Sequence, residues 1–527
     1  MIRTLVACIA VMALASGFPT GARAAPADTL KIALAADIRS SQPGFSPDDS
    51  TNIVLTHVVE GLVAPGEDGT PRLMLADHVD VTEDGRSYIF TLRRVLFHNG
   101  APLTAQDVVW TWRRYLDPSG NWPGRAYFDG SRDVQVLAVD ALDTTHVRFT
   151  LAQPVAEFLS MMARPDCGQT AILSPASVNP DGSWREPVGT GPYKFGAWKK
   201  GEYIDLVRFP RYGARTEKVD GYAGDKTSYV EHLHFVIIPD PVSIKNALET
   251  GDIDVWHSVN PEYLKRLQGD KSLNVTFTGG LGPNLLLMQT EDPLLRDPRL
   301  RHAIAMAIDT RTISKVENLG LVPANNSLIP AGSLFHGAVE SNVCVPFDPE
   351  GAKRLLREAG YHGQPIVLFT TPQYKPMYDT ALIIEAMGQA AGINIQVEAL
   401  EFSTMLHAFF QGKYQLMIFF AAANLDPTFT YDRFIGDKEK DRAKVWDDPQ
   451  ARALVTRLMH VSDRVERQAL FDQVHMLFIQ DLPMLPMHTG LNISAASTRV
   501  LGYFAWPGSR PRFWGVRLAP GRQEEAR

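Results

Sequence analysis

The side chains best suited to chemistry come in pairs rather than clusters. His57 and Glu60 lie about one helical turn apart, and His232 and His234 would share one face of a strand. Imidazole and carboxylate are common metal ligands, so either pair could begin a metal site. Neither pair has a third or fourth ligand nearby, and surface or locally hydrogen-bonded polar groups account for both. Gly189-Thr190-Gly191 lacks the third glycine of a dinucleotide fingerprint, and neither a P-loop nor a nucleophile elbow occurs. The sequence therefore supports no catalytic constellation, no metal site and no cofactor. The expectation is a binding protein rather than an enzyme.

Any binding residues must be positioned by a large fold. The chain has 527 residues, several times a typical domain, and its hydrophobic fraction of 45% suits a globular protein. The net charge of −7 comes without a basic block, which argues against a nucleic-acid partner. Strand and helix signals alternate. Leu30, Ile32 and Leu34 mark a first strand, followed by a helix expected over 52–62, and Tyr88, Phe90 and Leu92 mark another strand. Thr104 and Asp107 form a capping box ahead of a helix whose Val108, Trp112 and Leu116 share a face. Asp348-Pro349 starts a helix that stops at Gly360. A helix over 380–391 leads to a strand over 393–397, and a helix over 403–411 leads to the apolar strand over 416–420. Helix then strand, twice over, indicates a wound α/β sheet with strands buried on both faces. Leu470, Val474, Leu477 and Phe478 mark one more helix.

The N-terminus has the parts of an export signal: Arg3, an apolar run over 5–15, and the small-x-small site Ala22-Arg23-Ala24. Cleavage is expected between Ala24 and Ala25, giving a soluble periplasmic protein. The apolar run is shorter than the roughly 20 residues a bilayer span needs. Loss of Arg3 and Arg23 moves the charge from −7 to −9. Cys167 and Cys344 remain, in a compartment where a disulfide could form. A bond between separate lobes would restrict hinge motion.

Four segments carry a family resemblance. They are Leu75-Ala76-Asp77 through Leu103-Thr104-Ala105-Gln106-Asp107; Val188-Gly189-Thr190-Gly191-Pro192-Tyr193; Asp297-Pro298-Arg299-Leu300-Arg301 to Asp309; and Phe347-Asp348-Pro349-Glu350 to Ala359-Gly360-Tyr361. In this order they resemble the extracytoplasmic solute-binding proteins of the peptide, nickel and opine class of ABC importers. The resemblance implies a type II periplasmic binding protein fold of two lobes closing on a solute, plus an extra domain. By position, residues 25–58, 187–282 and 497–527 form the first domain, 59–186 the extra domain and 283–496 the other lobe. The crossings near Leu281-Gly282-Pro283 and over 488–495 would be the hinge. It further implies a monomer that delivers a peptide or peptide-like solute to permease subunits in the inner membrane. An opine, an oligosaccharide or a metal chelate stays open as the solute, as does presentation of ligand to a sensor or chemoreceptor.

The resemblance also implies where the ligand sits. In peptide-binding relatives an aspartate after a Gly-Trp pair binds the peptide's ammonium group. Here the stretch ends Phe419-Phe420-Ala421-Ala422-Ala423-Asn424-Leu425-Asp426-Pro427, which places either Ala423 or Asn424 at that position. Neither is a carboxylate, so free-amine peptides are expected to bind poorly unless Asp426 substitutes. Phe420 would replace the tryptophan, and for both Phe419 and Phe420 the cleft and plain strand core are equally open. Phe45 follows the first strand, Tyr127 lies in a glycine-flanked loop of the extra domain, and Asn284 and His488 flank the hinge. For each of these an ordinary packing role is equally open.

Overall fold

The computed structural model describes residues 28–519, except residues 47, 133, 422, 423, 425, 462 and 509 and the side chains of residues 166 and 167. The expected export signal, its cleavage point and Ala423 lie outside the described residues.

Ten strands form one sheet. In one half Thr29–Leu34 runs parallel to His232–Ile237, which pairs with Tyr203–Arg208 and through it with Tyr193–Lys199. In the other half Ile366–Thr370 lies parallel to both Ile395–Ala399 and Leu416–Phe420. Two long antiparallel strands, Leu273–Met288 and Met484–Ser497, belong to both halves and join them. Each half has its own apolar core, one around Leu30, Ile32, Leu206 and Phe235, the other around Leu285, Leu287, Ile418, Phe471 and Phe478. A separate four-stranded sheet, with Ser87–Leu92 and His146–Leu151 at its centre, packs a third core of Phe90, Trp112, Phe128, Phe149 and Phe158. This unit is called the small domain below.

Local chemistry explains many of these elements. The Thr104 N–H and hydroxyl donate to the Asp107 carboxylate at 2.8 and 2.7 Å, starting the helix Ala105–Leu116. Trp112 on that helix meets Phe128 and Phe149 edge to face. The Asp348 side chain accepts from the Gly351 N–H, Pro349 occupies the first helical turn, and the helix Pro349–Glu358 ends before Gly360 at φ +70°. Leu416–Phe420 carries no polar residue, and Leu416, Met417, Ile418 and Phe419 are all buried. The two sheet-forming helices run over Lys375–Ala390 and Phe402–Phe410, and the last long helix spans Arg464–Asp481.

One expectation is corrected. The helix expected over 52–62 is short, Asp49–Leu55. Beyond it the carbonyls of His57 and Val58 accept from the N–H groups of Tyr193 and Gly191 at 3.1 and 3.0 Å. Those tertiary bonds compete with helix continuation and win. The same approach explains Gly189-Thr190-Gly191: a Cβ on either glycine would come within 2.3 Å of the Val58 oxygen or 2.6 Å of the His57 oxygen. The motif is a close backbone contact. Cys344 is a free, exposed thiol, and the side chain of Cys167 lies outside the described residues. Among the described residues no helix is long and apolar enough to cross a membrane.

Candidate functional site

A cavity of about 320 Å³ opens where the sheet halves and the small domain meet. Its floor is a β-bulge in the two long strands. Register passes from Gly279 opposite Leu491 to Pro283 opposite Thr489, so Gly280, Leu281 and Gly282 stand against Gly490 alone. Such a bulge bends the strands and turns backbone groups out of the ladder. Close packing keeps Gly280 small, since a Cβ there would lie 3.1 Å from the Gly490 oxygen.

One wall comes from the C-terminal segment. Trp506 packs edge to face on Tyr222 and lies under the Arg512 guanidinium at 4.3 Å. The Asn492 amide donates to the carbonyls of Trp506 and Pro507 at 3.1 and 3.2 Å, fixing the loop over the floor. A Cβ on Gly508 would strike the Trp506 ring at 2.3 Å, so glycine lets the indole lie flat against the turn. Arg510 completes this wall, with its Nε 3.1 Å from Asp49.

The opposite wall is built at the end of the Leu416–Phe420 strand. Asp426 caps the helix Pro427–Phe434 by accepting from the Thr428 N–H at 2.9 Å, and Asn424 donates to the Thr430 hydroxyl at 3.2 Å. Phe429 on this helix buries its ring in the small domain's core, beneath Arg164 at 4.6 Å. Arg164 also stacks on Tyr127 at 4.2 Å. Beside the cavity, Arg467 donates to both oxygens of Asp426 at 2.9 and 3.0 Å and, through its other terminal nitrogen, to Glu157 of the small domain. All three side chains are at least nine-tenths buried. Burial, then the neighbouring Asp426 carboxylate, hold Glu157 well above the usual carboxylate range; Arg467 opposes them only in part.

The structure brings together some of the residues singled out in the sequence and separates others. Asn424 and Asp426 line the cavity. Tyr127 reaches it only through Arg164. Asn284 and His488 are cross-strand partners just beyond the bulge, with the Asn284 amide 3.1 Å from His488 Nδ1, both buried. Phe419 stacks on Phe409 in the core, and Phe420 is partly buried against the same core. Phe45 lines a separate cavity of about 220 Å³ with Trp110 and Trp184. His57 is enclosed and accepts from the Phe513 N–H at Nε2 (3.1 Å), while burial lowers its pKa to about 3. Glu60 pairs with Lys226 at 3.1 Å, and His234 with Asp205 at 2.5 Å. Among the described residues no group of three or more His, Cys, Asp or Glu is placed to hold a metal ion.

Sequence reasoning did not reach Trp506, Asn492, Arg510, Glu157 or Arg467. Trp506-Pro507-Gly508, an aromatic residue at a tight turn in the tail, was a usable signal. Glu157 and Arg467 lie 310 residues apart, and no local pattern links them.

Comparison with known proteins agrees with this architecture. Residues 70–441 match the family described as "Bacterial extracellular solute-binding proteins, family 5 Middle". The chain is 30% identical over 479 residues to "Di/tripeptide-binding protein 4" of Pseudomonas aeruginosa (strain UCBPP-PA14), covering 85% of this chain and 86% of that one. It is 22% identical over 501 residues to a glutathione-binding protein of Escherichia coli (strain K12), covering 90% and 92%. Among solved structures, the ABC transporter-associated periplasmic binding protein DppA of Helicobacter pylori, in complex with the peptide STSA, superposes with a TM-score of 0.74. It is 25% identical, with 93% of this chain and 98% of that one covered. A Brucella suis protein in complex with Fe(III)-EDTA gives a TM-score of 0.81 at 22% identity, covering 93% and 100%. The chain belongs to the bacterial extracellular solute-binding proteins of family 5.

Proposed function

We propose that this protein captures a small peptide or peptide-like solute in the cavity and delivers it to the permease of an ABC importer. The observation that carries the reading is the make-up of the cavity. It has a backbone floor at the bulge, the amides of Asn424 and Asn492 on facing walls, and the apolar faces of Trp506 and Phe429. Backbone and amide groups suit peptide bonds, the rings suit side chains, and the volume falls at the small end of ligand pockets. The 30% identical relative named for di- and tripeptides supports the same solute class.

The mechanism is differential binding. A solute that touches both walls binds the closed arrangement more tightly than the open one and shifts the population toward it. We assign residues 25–58, 187–282 and 497–527 to one lobe, 59–186 to the extra domain and 283–496 to the second lobe, with the bulge as part of the hinge. Export through the N-terminal signal places a monomer in the periplasm. Native mass spectrometry of the mature protein isolated from the periplasm tests the reading. Release of a small peptide-like molecule is the expected result. A retained solute without peptide character would sink it. So would an empty protein that no di- or tripeptide stabilises, whether its N-terminus is free or acylated, since a solute at 100 Kd adds about 2.7 kcal/mol.

A further inference from the structure

We propose that Arg467 is a specificity-determining residue: from within the chain it supplies the cation that a solute would otherwise bring to this end of the cavity. The proposal rests on reading the cavity as the solute site. Among the described residues, two carboxylates line the cavity, Asp49 and Asp426. Each already carries a guanidinium of the chain, Arg510 at 3.1 Å from Asp49 and Arg467 at 2.9 Å from Asp426.

The Arg467 arrangement is built rather than incidental. One terminal nitrogen spans both Asp426 oxygens and the Thr428 hydroxyl, the last at 2.8 Å, and the other reaches across to Glu157 of the small domain. The guanidinium lies 4.9 Å from the Phe335 ring centre and 5.7 Å from that of Phe471, which hold it in place. A solute ammonium arriving beside Asp426 therefore meets a buried guanidinium and a carboxylate whose oxygens are already engaged by Arg467 and the Thr428 N–H. Its lost hydration is not replaced. An acylated or otherwise uncharged group at the same place meets the Asn424 amide and Ser160 on the wall, with no such penalty. Arg467 thus selects solutes that lack a free ammonium at this end.

Calorimetric titration with trialanine and N-acetyl-trialanine tests this, on the wild type and on Arg467→Met checked for folding by circular dichroism. The wild type is expected to favour the acetylated peptide by about ten-fold or more, and Arg467→Met to erase or reverse that ratio by gaining affinity for trialanine. Adding Asp426→Asn, which keeps a helix-capping side chain, should abolish the gain. If Arg467→Met does not fold, Arg467→Lys decides: its single ammonium cannot serve both carboxylates, so a smaller gain of about three-fold is expected. Unchanged trialanine affinity in the folded variant overturns the proposal while leaving the peptide reading intact. If neither peptide binds the wild type, the peptide reading falls. The proposal then stands if Arg467→Met acquires trialanine binding and falls if it does not.

Discussion

Two buried carboxylates lie at joints of this molecule, and they are satisfied differently. Glu60, where the small domain meets the first half of the sheet, accepts from Lys226 at 3.1 Å, the Tyr212 hydroxyl at 2.8 Å and the Thr190 hydroxyl at 3.0 Å. Lys226 in turn lies over the Trp514 ring at 4.8 Å. Glu157, where the small domain meets the second half, shares one guanidinium with Asp426, and its Oε2 and the Arg467 Nε are left without hydrogen bonds. A complete polar network is costly to break, whereas an incomplete one holds its parts with little net gain. The first joint is fixed, and the second suits a contact that is made and released.

The sharpest way to break this comparison is Glu60→Ala. It leaves the Lys226 ammonium unpaired in the interior and is expected to cost about 3–5 kcal/mol in urea unfolding. A loss under about 1 kcal/mol would show that the first joint is no firmer than the second. Tyr212→Phe removes one donor from the same carboxylate while keeping the ring. A hydrogen bond to a group paired with Lys226 is worth about 1.5–3 kcal/mol, and that loss is expected.

The second joint should respond to pH instead. Arg467, Asp426, Tyr88 and Ser160 face Glu157, and the balance raises its pKa above the ordinary 4.5. A carboxyl raised in the folded state binds more protons there than in the unfolded chain. Its contribution is complete below pH 4.5 and is lost as pH rises through the folded-state value. The wild type is therefore expected to lose stability with rising pH above 4.5. Glu157→Gln, permanently uncharged, should flatten that slope. Thermal melts of both proteins across the pH series check it, and parallel curves would mean that Arg467 keeps Glu157 ionised throughout.

The sequence was most legible where the chemistry is local. Thr104 and Asp107 cap a helix from three residues apart, Asp348-Pro349 starts another, and the apolar run at 416–420 is a strand buried on both faces. Asn424 and Asp426 were within reach because they follow that strand directly, and both stand on the cavity wall. Contacts between distant segments were not legible. The helix expected over 52–62 stops early because Gly191 and Tyr193 take its carbonyls. Trp506 reaches the cavity from the tail, and the Glu157–Arg467 pair joins segments on either side of the bulge. Asn284 and His488 show both sides of this. Their meeting across the long strands follows from strand register, but only the structure shows the pair buried beyond the cavity floor.

The smallest expected effect separates the joints most finely. Ser160 lies on the cavity wall and its side chain faces Glu157, as the Tyr212 hydroxyl faces Glu60. The two carboxyl groups differ in what surrounds them. Tyr212 serves a carboxylate whose other oxygen contacts are Lys226 and Thr190, whereas Glu157 is pushed toward its neutral form by burial and by Asp426. A bond between neutral groups contributes less than one to an ionised group, so Ser160→Ala should cost about 0.5–1 kcal/mol, below the loss for Tyr212→Phe. Urea unfolding of the two variants at neutral pH makes the comparison directly. Equal losses would mean that Glu157 carries a full charge beside Asp426.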